Sequence, residues 1–146
     1  MSKNYLIIWL GRMMGANMCE ICQETIDRIW PDLKLGRRYK TPDLYKGKDF
    51  YVEERSGQRI KISPQNIYIT KESFLAALHY LVQNEHNFGN QCEIRSSNSR
   101  REAGPLCIAS RDKNSNVRCI NYILPILQNS QIVGIDPVRP NKTWLI

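Results

Sequence analysis

Apolar and polar positions alternate from Asp49 to Ser63, where Phe50 and Val52 face Ile60 and Ile62 across a turn at Ser56-Gly57. Period-two alternation around a turn predicts a β-hairpin. From Lys71 the period lengthens: Phe74, Leu75, Leu78, Leu81 and Val82 recur at helical spacing, with Thr70 placed to cap the helix and a short strand, Asn66 to Thr70, before it. Met18, Cys19, Cys22, Ile26 and Ile29 keep the same spacing between Ala16 and Trp30, until Pro31 stops the helix. The unbroken apolar run Asn4 to Leu10 reads as a central strand.

Near the C-terminus, Val117, Ile120, Ile123, Leu124 and Leu127 form a helical stripe. The side-chain oxygens of Asn114, Ser115 and Asn116 place its start near 115 or 116, and Pro125 predicts a kink or a break. Two β-branched runs, IVGID and KTWLI, then flank the basic tip Pro137 to Asn141 and predict a closing hairpin. Residues 98–116 are the least patterned: Leu106 to Ala109, with Pro105 ahead of them, fit either a short helix or a strand ending at Ser110.

These elements predict an α+β fold. A small N-terminal α/β unit with a hairpin would occupy 1–66, and a second unit 67–146. In the second, a helix, a short strand at Cys92 to Ile94, two further helices and a hairpin resemble a winged helix-turn-helix DNA-binding domain, in shape rather than in any fixed motif. That resemblance implies a recognition helix lying in the major groove, with Arg118, Asn121 and Gln128 on its exposed face, and a wing whose Arg139 and Lys142 meet phosphates. Arg100, Arg101, Arg111 and Lys113, just ahead of that helix, are the other candidate phosphate contacts. Arg118 and Asn121 are the candidates for base readout, since Arg suits guanine and Asn suits adenine.

Charge points the same way. Lys and Arg number 21 against 14 Asp and Glu, a formal charge of +7 that favours a polyanionic partner. The expected partner is nucleic acid, in duplex form. A second cluster, Lys34, Arg37, Arg38, Lys40, Lys46 and Lys48, is interleaved with Tyr39 and Tyr45 and predicts a separate nucleic-acid contact on a basic loop. Apolar residues at 42% and charged residues at 24% are globular values. No apolar run approaches the ~20 residues of a membrane span, and the N-terminal run is too short for a signal-peptide core, so a cytoplasmic protein with no membrane partner is expected. Five cysteines do not make a secreted disulfide framework, and the CxxC pair Cys19 and Cys22 has no second pair, so no metal is expected there.

An alternative is enzymatic. Pro42-Asp43, Glu53 and Arg55 have the outline of a PD-(D/E)XK nuclease signature with Arg for Lys, in which two carboxylates would hold Mg²⁺ and Arg55 would only stabilise charge. Without that chemistry no cofactor is expected. A third possibility is a protein-interaction module whose basic surface meets an acidic partner.

Overall fold

The alternation at 49–63 sends Phe50, Val52, Ile60 and Ile62 to one face, and all four are buried. In the computed structural model, which describes residues 18–146, they sit in a four-stranded antiparallel meander of β1 (Arg38–Lys40), β2 (Asp49–Arg55), β3 (Arg59–Ser63) and β4 (Ile67–Thr70). Val52 pairs with Ile62, Tyr39 with Phe50 and Ile60 with Ile69, so one side of the sheet is apolar throughout. Ser56 closes the β2–β3 turn, its Oγ accepting from the N–H groups of Gln58 and Arg59. The strand expected at 4–10 lies outside the described residues.

α1 (Met18–Ile29) turns Ile21, Cys22, Ile26 and Ile29 inward, and Pro31 ends it in a 3-10 turn, Trp30–Asp32. The Trp30 indole N–H donates to the carbonyl of Ser56 at 2.8 Å, while the ring meets Phe74 edge-on at 5.3 Å. α2 (Lys71–Gln83) starts where expected, with the Thr70 hydroxyl accepting from Ser73 N–H, and buries Phe74, Ala77, Leu78, Leu81 and Val82. α3 (Pro105–Arg111) resolves the ambiguous stretch as helix, with Pro in its first turn where no N–H is needed.

β5 (Cys92–Glu93), β6 (Val133–Asp136) and β7 (Lys142–Leu145) form a second antiparallel sheet in the order β5-β7-β6. Gly134 lies opposite Trp144, where a Cβ would come within 2.4 Å of the indole ring.

α4 (Ile120–Asn129) departs from expectation at its start and on its surface. It begins four residues late because Ser115 and Asn116 take left-handed backbone angles, φ 53° and 61°, which no helix can include. Of the polar residues offered as caps, Asn114 and Asn116 spend their side chains elsewhere, and Cys119 takes the N-cap position. Val117 is left exposed, and Pro125 sits inside one helix rather than dividing it. Every residue from Ile120 to Leu127 is buried. A helix apolar around its circumference must be enclosed, and Tyr122 packs edge-on against Phe50 at 5.1 Å, with Tyr39 stacked behind at 5.3 Å. The open face expected on this helix is therefore reduced to its C-terminal end, where Gln128 stays exposed, and Asn121 is only 9% exposed.

The same contacts make one continuous hydrophobic core across the expected units 1–66 and 67–146. Each large side chain fully buried in it contributes about 1.5–3 kcal/mol relative to exposure. Among the described residues no helix is long and apolar enough to cross a membrane.

Candidate anion-binding cleft

The loop between β1 and β2 is held in a tight arch. Thr41 N–H donates to the carbonyl of Lys48 at 3.0 Å, and Lys48 N–H returns to the Thr41 hydroxyl at 2.8 Å. Inside the arch, Asp43 Oδ1 accepts from the N–H groups of Tyr45 and Lys46, each at 2.9 Å. Gly47 is required by this closure, since a Cβ there would stand 2.6 Å from the carbonyl oxygen of Asp43 and 2.7 Å from that of Thr41. The arch is tied to the C-terminal hairpin by Leu44 N–H on the carbonyl of Pro137 and by Arg139 Nε on Asp43 Oδ2 at 2.5 Å. The Arg139 guanidinium, followed by the Lys46 N–H, holds the Asp43 carboxyl at about 2 instead of 3.8.

Between this arch, the hairpin tip, residues 93–96 and the start of α4 lies a cleft of about 730 Å³. Its far wall is fixed by Ile94 N–H on the carbonyl of Asn141, at 2.9 Å, and by Gly104 N–H on the carbonyl of Arg95, at 3.0 Å. Lys46, Lys48, Arg95, Arg118 and Arg139 line it, against the carboxylates Asp43 and Glu93 alone. Arg139 is committed to Asp43, whereas Lys46, Lys48, Arg95 and Arg118 enter no ion pair among the described residues. Two side-chain oxygens of cleft residues, Asn121 Oδ1 and Ser96 Oγ, are enclosed without a hydrogen-bond partner among the described residues.

Of the residues singled out in the sequence, Asp43, Lys46, Lys48, Arg118, Asn121 and Arg139 come together here. Lys40 and Gln128 line a smaller depression that shares Thr41, Pro42 and Asp43 of the arch, and Arg37 borders a third beside Tyr39. Arg38 is exposed on the edge strand β1, and Arg101 is exposed ahead of α3. Arg111, expected at a phosphate, is instead 5% exposed and donates to the carbonyls of Ser97, Asn98 and Asn116 and to Asn116 Oδ1. Its guanidinium is consumed in pinning that loop. Arg100 is likewise held by Asp112 at 2.6 Å and Asn116 at 2.9 Å. Lys113 is exposed, and its carbonyl accepts from the Thr70 hydroxyl. Lys142 stands in β7 opposite both Glu93 and Asp136.

The three residues of the nuclease outline do not share this cleft. Glu53 is on β2, paired with Lys61 at 2.9 Å, and that ammonium holds its carboxyl below the usual range. Arg55 donates to the carbonyl of Leu33. Only Asp43 lines the cleft, and its oxygens already serve two backbone N–H groups and Arg139.

Arg95 and Ser96 escaped the sequence reading, although a strand at Cys92 to Ile94 that pairs with the hairpin already implied that the residues after it lie beside the hairpin tip. Comparison with family models, with curated proteins and with solved structures finds no match to this chain.

Proposed function

We propose that the protein binds nucleic acid, holding phosphates in the cleft between the β1–β2 arch and the C-terminal hairpin. The observation that carries this reading is the set of four cations, Lys46, Lys48, Arg95 and Arg118, gathered in one concave site with no ion-pair partner among the described residues. Unpaired cations that repel one another are stabilised by a polyanion, and a concave basic site focuses its field on such a ligand. The formal charge of +7 supports the same partner. From Lys71 on, the order helix, strand, helix, helix, hairpin, with the strand beside the last one, supports the winged-helix resemblance. Enclosure of α4 means that contact is made by the residues at its N-terminal end and by the hairpin tip, not by a helix face in a groove.

Fluorescence anisotropy with labelled single-stranded and duplex oligonucleotides tests this. Lys46→Ala, Lys48→Ala and Arg118→Ala should each weaken binding to every sequence and flatten the log-log salt dependence by about 1. Unchanged affinity and slope in all three would overturn the proposal.

A further inference from the structure

We infer that the cleft receives one unpaired nucleoside phosphate: the phosphate lies among Lys46, Lys48 and Arg118, and a polar edge of the base or sugar reaches Asn121 and Ser96. This rests on the nucleic-acid reading and narrows it from a backbone contact to capture of a single nucleotide.

Three observations carry it. The first is size. A cleft of about 730 Å³ is in the range of sites that enclose a small molecule, and a duplex would touch only its rim. The second is the pair of enclosed polar atoms. Asn121 Oδ1 and Ser96 Oγ have no partner among the described residues, and such groups are costly to bury unless something else completes their hydrogen bonds. The third is chemical type. An amide oxygen is an acceptor and repels phosphate oxygens, so a simple anion that satisfied the lysines would leave Asn121 as it is. What satisfies both is a ligand with an anionic end and, a few ångströms away, N–H or O–H donors, as on a nucleobase edge or a ribose. Asn121 Oδ1 and Ser96 Oγ are closed to solvent as they stand, so the Asn121 amide turns about its last torsion to bring its oxygen to a donor on the ligand, a turn that phosphate oxygens, being acceptors, do not draw. Pro42, Ile94 and Pro140 provide apolar lining for the ring between the two ends.

The ligand could be a free nucleotide or the unpaired end of a strand, and titration calorimetry and anisotropy on the full chain separate them. The probes are the four nucleoside monophosphates, inorganic phosphate, a duplex with a single-stranded overhang and the same duplex with blunt ends. At least one monophosphate should bind about tenfold more tightly than inorganic phosphate, and Asn121→Leu should erase that margin while leaving phosphate binding intact. Ser96→Ala, an exchange that removes only a hydroxyl, should reduce the margin too, which keeps the test open if the leucine variant fails to fold. Preference for the overhang over the blunt duplex assigns the ligand to a strand end; monophosphate binding without that preference assigns it to the free nucleotide. Equal affinity for phosphate and all monophosphates, or a margin untouched by both variants, overturns the inference. If oligonucleotides then still bind and Lys46→Ala weakens them, the nucleic-acid reading stands without it; if neither oligonucleotides nor monophosphates bind, both fall.

Discussion

Arg139 and Asp43 are 96 residues apart in the chain, yet Nε meets Oδ2 at 2.5 Å and joins the hairpin tip to the β1–β2 arch. Because the same carboxylate also accepts two backbone N–H groups, its ionisation is coupled to the shape of one cleft wall. A carboxyl held at about 2 in the folded chain and near 3.8 when unfolded favours the folded state above 3.8, and that contribution is lost as pH falls through about 2. A carbon-detected NMR titration should place the Asp43 carboxyl near 2, and Arg139→Ala should move it back toward 3.8. A midpoint near 3.8 in the unaltered protein would show that the tie does not persist in solution.

Arg111 is a structural residue. Arg111→Ala removes a buried guanidinium and with it the hydrogen bonds to the carbonyls of Ser97, Asn98 and Asn116 that pin this loop, so urea denaturation should show a loss of about 3 kcal/mol. A loss under about 1 kcal/mol would mean water replaces those bonds and that this side chain is available after all.

Gly47→Ala should damage the cleft more than the fold. Its new methyl would press on two backbone oxygens that cannot rotate away, so the arch must open, at about 1–3 kcal/mol. The expected signature is reduced oligonucleotide affinity together with faster amide exchange at Tyr45 and Lys46, while protection in α2 is kept. Unchanged exchange in the arch would contradict the geometry.

Asn121→Leu should separate stability from binding. Replacing an enclosed, unpartnered amide by an apolar group of similar volume is expected to be neutral or to stabilise by up to about 1 kcal/mol, measured by thermal or urea unfolding. Strong destabilisation would show instead that the amide is satisfied in solution without any ligand.

Local periodicity carried much of the fold. The β2–β3 hairpin and α2 could be read because a turn signal or a capping Thr sits beside an unambiguous apolar period. The start of α4 could not, because Asn114 and Asn116 look like caps but spend their side chains on distant partners: Asn114 Oδ1 accepts from Thr70 N–H and Asn116 Oδ1 from Arg100 and Arg111. Nor could its enclosure be read from a stripe on one face, since the second apolar face is covered by Tyr39 and Phe50, far away in sequence. For the site, charge density identified the two basic clusters but not which members are consumed internally. Arg100 and Arg111 look the same as Arg118 in the sequence; only tertiary partners distinguish them.

The cleft draws its lining from residues 41–48, 93–96, 118–122 and 139–141, four stretches that span most of the described chain. A cut between residues 66 and 67 would leave the arch on one fragment and the rest of the lining on the other. The shared core and the β3–β4 pairing would hold the two fragments together, but once they separated, forming the cleft again would require reassociation and would depend on both fragment concentrations. A single proteolytic event would thus make the integrity of the cleft sensitive to dilution.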